Sequence, residues 1–215
     1  MSVTSKQLMQ LVILIFVSMS VASCVTETIE SPSIKFNETA VISVGDPNAS
    51  VVAGSTFAWL PEAVRFYDDE RLDNAPIKSL IETEIVKNLK NIDMVFVESK
   101  NGAKYAIAYT AALESSLDDA AIIRRFGLLP GMPQVPQGDV NVEKGSLIVY
   151  VFENRTGDVI WRSAAQIGVK FDLPIEQRKE RVVRVVAEMF QTFPTEVRGQ
   201  ARAQRKATEK VSGDK

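Results

Sequence analysis
The sequence predicts an α+β domain, a two-layer sandwich in which a mostly antiparallel sheet of about five strands carries two helices on one face. Three observations predict it. Short β-branched and aromatic runs recur between turn clusters, two longer segments repeat apolar residues at helical spacing, and hairpin signatures join most of the strand-like runs. Residues 40–44 (AVISV) and 51–59 (VVAGSTFAW) read as strands on either side of the turn cluster Gly45-Asp46-Pro47-Asn48. Asp73-Asn74-Ala75-Pro76 then supplies cap residues and an early proline, and Ile77, Leu80, Ile81, Ile85 and Leu89 share one face of a helix over 75–90.

Residues 94–98 and 104–113 flank Asn101-Gly102, a pair that predicts a hairpin because both positions of the tight turn need φ > 0. In the second run Tyr105, Ile107, Tyr109, Ala111 and Leu113 share one face, and Ala106, Ala108 and Thr110 the other, where small side chains suit a closely packed helix. Residues 147–153 and 159–169 flank Asn154-Arg155-Thr156-Gly157-Asp158, a second hairpin, whose first arm is apolar on both faces and so central. Asp172-Leu173-Pro174 opens the last helix, with Ile175, Val182, Val186, Met189, Phe190 and Phe193 as its buried stripe and Pro194 as its stop. Arg178, Lys179, Arg181 and Arg184 lie on or beside the opposite, solvated face. Some parallel pairing is allowed, since the first helix joins a strand before it to a hairpin after it.

Composition narrows the chemistry. The 215 residues contain no histidine and a single cysteine, Cys24, which excludes Ser-His-Asp and Cys-His catalysis, disulfides and zinc sites built on those ligands. A net charge of −2 gives no support to nucleic-acid binding, and no cofactor motif is present: Gly127, Gly131 and Gly138 are scattered among prolines rather than gathered in a phosphate loop. The expectation is a protein that is not an enzyme, with no cofactor and no metal.

The amino-terminal residues account for the cysteine. Lys6 precedes the apolar run 8–17 (LMQLVILIFV), long enough for an export signal and short of the ~20 residues that span a bilayer. Val21, Ala22 and Ser23 lead directly into Cys24, a run that resembles the bacterial lipobox. That resemblance implies a signal peptide over 1–23, cleavage before Cys24, acylation of its thiol and new amino group, and permanent attachment to the membrane through two or three acyl chains. Val25, where aspartate is absent, resembles the outer-membrane sorting pattern of Gram-negative lipoproteins, which implies a periplasm-facing anchor. Residues 24–39 read as a lipidated tether with a reach of roughly 20 Å, residues 40–195 as the domain, and residues 196–215 as a basic, disordered tail.

The run from Gly145 to Arg162 (GSLIVYVFENRTGDVIWR) resembles the signature of bacterial lipoproteins carrying domain of unknown function 4136. Thr56-Phe57-Ala58-Trp59-Leu60-Pro61 is similar to the Phe-x-Trp strand that opens that domain, and residues 185–194 to its closing helix. Tyr150 stands where the family's strand usually carries an acid, and Ser163 where a glycine usually follows Trp-Arg. The resemblance implies an envelope lipoprotein and supplies no agreed activity.

Several constellations are candidates for contact with a ligand or partner. Trp161 and Arg162 could clamp a small amphiphile or glycan between sheet and loop, against a plainer reading of Trp161 and Trp59 as packing residues and of Arg162 as the ion-pair partner of Glu153. Asp68-Asp69-Glu70 with Asp73 reads as helix-capping charge more readily than as a cation site. Residues 115–145 form a long connection carrying Ile122, Ile123, Phe126, Leu128, Leu129, Met132 and Val135, suited either to packing over an open sheet face or to a partner, with Asp118, Asp119, Arg124 and Arg125 marking a short helix within it. The resulting expectation is a lipid-anchored, non-enzymatic envelope protein that binds another envelope component, a protein above all, with Phe126, Leu129, Trp161 and Arg162 as contacts. The alternative is an amphiphile- or glycan-binding module of the periplasm.

Overall fold
The computed structural model describes residues 39–131 and 140–195. The predicted signal (1–23), the lipobox residues Val21, Ala22, Ser23 and Cys24, the tether up to residue 38, residues 132–139 and the tail 196–215 lie outside them. Among the described residues seven strands form one mixed sheet: β1 (Thr39–Gly45), β2 (Thr56–Trp59), β3 (Arg65–Phe66), β4 (Val95–Phe96), β5 (Tyr105–Leu113), β6 (Val142–Glu153) and β7 (Val159–Lys170). The α-helices among the described residues are α1 (Asn74–Lys90), α2 (Asp119–Phe126) and α3 (Ile175–Phe190). The order across the sheet is β1-β7-β6-β5-β2-β4, with β3 paired to β5 beyond the end of β2.

The α+β class holds, while the count and direction of the strands differ from expectation. β1, β7, β6 and β5 are antiparallel neighbours, but β2 and β3 both run parallel to β5, and β4 runs parallel to β2. The Asn101-Gly102 hairpin does not form. Residues 95–96 pair with 56–57 on β2, and Lys100–Gly102 make a 3-10 turn in which Ser99 Oγ accepts from Asn101 N. A tight-turn dipeptide is a local signal, and here it loses to a non-local edge that better satisfies the second strand's backbone. Strand 51–59 is likewise shortened to 56–59; Val51 instead bridges to Thr195 at the end of the domain.

Helices α1 and α3 cover one face. Ile81, Ile85 and Leu89 of α1 and Val185, Val186, Met189 and Phe190 of α3 pack on Phe57, Tyr105, Ile107, Tyr109, Val149, Val151 and Trp161. The third helix, α2, sits on the opposite face, where Ile122 and Leu128 bury against Ala112, Ile148 and Ala164, so the predicted pair of helices on a single face is incomplete. This is the side on which small residues invited a helix. Asp73 occupies the N-cap of α1 without a side-chain cap bond; Asn74 instead exchanges hydrogen bonds with Asp69. Arg181, expected in solvent, is 7% exposed and donates from Nη2 to the Gly168 carbonyl at 2.7 Å.

Candidate functional site
A register shift between Val151 and Phe152 in the β6–β7 hairpin places Tyr150 opposite Arg162, with Ile148 facing Ala164 one row on. Side chains of a strand alternate between faces, so Trp161 and Arg162 point to opposite sides of the sheet. Trp161 enters the helix-covered core, 1% exposed, with the rings of Phe190 and Phe193 at 5.0 and 5.1 Å. Arg162 lies on the other face, so the two side chains do not clamp one ligand. Nor does Arg162 pair with Glu153: its Nη1 donates to the Phe126 carbonyl at 2.8 Å, and Glu153 accepts from Thr156.

That bond joins the sheet to α2, and the sequence explains why α2 is there. Asp118 accepts from Ala121 N at 2.6 Å as N-cap, Gly127 at φ +62° closes the helix, and Ile122 between them is buried. The helix is fastened to the sheet by Lys144, 1% exposed, whose Nζ meets Asp119 Oδ2 at 2.6 Å and Glu114 Oε1 at 3.2 Å. Gln166 Nε2 donates to the other Asp119 oxygen at 2.8 Å. Ile122, Phe126, Leu128 and Leu129 of the long connection thus pack over the open sheet face, while Ile123 is 50% exposed. Phe126 and Leu129 are both half-buried beside this second core.

Between α2, the β6–β7 pair and β3 lies an open cleft of about 490 Å³, lined by Arg65, Arg125, Arg162, Phe126, Tyr150 and Phe152 with Thr110 at its base. Arg65 reaches it because β3 pairs Arg65 with Thr110. The three guanidiniums are held by neutral oxygens: Arg65 on the Val64 carbonyl at 2.8 Å, Arg125 on the Tyr67 hydroxyl at 3.1 Å, Arg162 on the Phe126 carbonyl. Among the described residues none of the three has a carboxylate within ion-pair distance, and no acid lines the cleft. Aromatic rings form its wall, Phe126 to Tyr150 at 5.5 Å and Tyr150 to Phe152 at 5.9 Å. The Tyr150 hydroxyl is buried beside Thr110. Burial pushes that phenol well above its ordinary value, although Thr110, Arg162 and Arg125 pull the other way, so it stays protonated.

Three guanidiniums without ion-pair partners, beside apolar rings, can hold an anion, carboxylate or phosphate, through charge-assisted and bidentate hydrogen bonds. Of the residues singled out from sequence, Phe126 and Arg162 line this cleft; Trp161 and Leu129 do not. Arg65, Arg125 and Tyr150 were missed as site residues. Tyr150 meets Arg162 only because a register shift between Val151 and Phe152 moves the pairing by one residue, which the hairpin sequence does not announce, and Arg65 and Arg125 carry no sequence signal either. Trp59 is half-buried with its ring 5.9 Å from Tyr109, and Asp69 is tied to Arg71 at 2.7 Å. Among the described residues, no three His, Cys, Asp or Glu side chains gather as metal ligands, and no helix is long and apolar enough to cross a membrane.

A family model described as a domain of unknown function (DUF4136) matches residues 41–195. No curated protein is significantly similar to the chain. Among solved structures it is similar to a DUF4136 family protein from Bacteroides thetaiotaomicron, at 13% identity and a TM-score of 0.46, covering 73% of this chain and 96% of that one. It is also similar to the PelC dodecamer from Paraburkholderia phytofirmans, at 8% identity and a TM-score of 0.43, covering 74% of this chain and 99% of that one.

Proposed function
The chain belongs to the family described as a domain of unknown function (DUF4136), and on that footing we propose that it is a non-enzymatic, lipid-anchored cell-envelope protein that binds an anionic group of another envelope component in its arginine cleft. The observation that carries the reading is the convergence of Arg65, Arg125 and Arg162 in a cleft without acids. Unneutralised like charges repel one another at a cost to the fold, and an anionic partner relieves that cost on binding. The anchor is supported by residues 8–24, where an export-like apolar run ends in Val-Ala-Ser-Cys, and Val25 favours the outer membrane. The lack of histidine, and a sole cysteine at the predicted acylation point, favour binding over catalysis.

The test has two arms. Intact mass and membrane fractionation of the wild type beside Cys24→Ala should show loss of 1–23, added acyl mass, and outer-membrane recovery that the variant loses. A photo-crosslinking residue at the exposed Val159, on the rim of the cleft, should then capture an envelope component in the wild type and lose it in Arg65→Gln/Arg125→Gln/Arg162→Gln at equal expression. Capture should also weaken as salt is raised. Undiminished capture by the triple variant would remove the cleft from the binding surface.

A further inference from the structure
A second concavity lies on the other side of the sheet, under the two long helices. It is a cavity of about 130 Å³ walled by Ile77 and Ile81 of α1, Val182 and Val185 of α3, and Leu147 and Ala165 of the sheet. Gly145 and Gly168 are among its lining residues, and a Cβ on Gly145 would stand 2.6 Å from Val169 Cγ2, so the wall is packed too closely there for a side chain. One end carries charge. Arg178, at the start of α3, donates from Nε to the Leu173 carbonyl at 3.0 Å, while its Nη1 is buried without a hydrogen-bond partner. Arg178 forms no ion pair among the described residues, and Arg181 beside it is held on the Gly168 carbonyl. A buried guanidinium nitrogen left unsatisfied is costly, and in native proteins such a group calls for a partner that completes it.

We propose that this cavity is a binding site for a medium-chain acyl carboxylate, its tail among the isoleucines and valines and its carboxylate on Arg178 Nη1. The volume sets the chain length. It is comparable to the ~150 Å³ engineered cavity that admits benzene, which suits a tail of several methylenes and excludes a folded long chain. The apolar wall supplies affinity without direction, and Arg178 supplies the orientation and the preference for an anion. This site shares no residue with the arginine cleft and does not rest on its reading.

The test uses octanoate as ligand and octan-1-ol as its uncharged counterpart, titrated by calorimetry into the mature chain carrying Cys24→Ala. Octanoate should bind saturably at one site and the alcohol about tenfold more weakly. Arg178→Gln should bring octanoate down to the level of the alcohol and leave the alcohol unchanged. Val182→Phe, which fills the cavity from a half-buried helix position, should abolish both, and Arg162→Gln should alter neither. If Val182→Phe does not fold, nuclear Overhauser contacts between octanoate and the Ile77 and Ile81 methyls in the wild type decide the same point. No saturable octanoate binding, full binding in Arg178→Gln, or loss in Arg162→Gln with retention in Arg178→Gln would each overturn the proposal.

Discussion

Replacing Asp119 by alanine tests how α2, and with it one wall of the arginine cleft, is held. Asp119 neutralises a lysine that is 1% exposed, at 2.6 Å, and accepts from Gln166 at 2.8 Å. Removing one partner of a buried ion pair costs about 3–5 kcal/mol because the other charge stays behind. Two features reduce that here: Glu114 remains 3.2 Å from Lys144 Nζ, and the Asp119 side chain is itself 27% exposed. A loss of about 2–3 kcal/mol is expected, or roughly 4–12 °C in Tm for a domain of this size. Urea denaturation of the wild type, Asp119→Ala, Lys144→Met and the double variant measures it. The double variant no longer buries a cation, so it should recover much of the Asp119→Ala loss, a coupling of about 1.5 kcal/mol or more. A single-variant loss under about 0.5 kcal/mol, or simple additivity, would refute the view that this pair anchors the helix.

Three further outcomes are expected. Arg71 joins Asp69 and Glu143: its hydrogen bond is the main reason Asp69 sits below the ordinary carboxylate range, and for Glu143 burial pushes upward but is outweighed by Ser115 and Arg71. Depressed folded-state values mean stability that is present above the unfolded carboxylate range, near pH 4, and lost as pH falls through the folded values; Arg71→Met should flatten that acid limb in pH-resolved denaturation. Gly127→Ala, at φ +62° with the new Cβ 3.6 Å from Arg162 Nη1, should cost about 1–2 kcal/mol in thermal unfolding and weaken crosslinking at the cleft, whereas an unchanged Tm would show that the left-handed cap is dispensable. Trp161→Ala should cost about 3–5 kcal/mol, since it empties a ring packed on Phe190 and Phe193, while leaving capture by the cleft on the opposite face intact under conditions where the variant is folded.

The legible parts of the fold were those whose signals are local. Residues 147–153 and 159–169 form a hairpin because strand, five-residue turn and strand are contiguous, and α1 and α3 arise from apolar spacing closed by Pro76 near one start and Pro194 after one end. Where pairing was non-local the reading failed. Residues 95–96 had two possible partners, and the choice of β2 over β5 depends on which edge the whole sheet leaves open. Arg181 shows the same limit on a helix: it lies next to the apolar stripe, and only the position of the Gly168 carbonyl offsets the cost of its burial.

By itself, the sequence determined the α+β class, the order of the long elements, and the absence of histidine- and thiol-based chemistry in the domain. These rest on composition and short-range periodicity, which need no knowledge of neighbours in space. Tertiary structure alone decided where the candidate ligand sites lie. Arg65, Arg125 and Arg162 are far apart in the chain and share a cleft only because β3 extends the line of β2 along β5, β7 crosses β6 in one register, and α2 folds back over that face. The unpartnered Nη1 of Arg178 is likewise a property of packing, since whether a guanidinium meets water, an acid or a cavity is set by what the other layers bring against it.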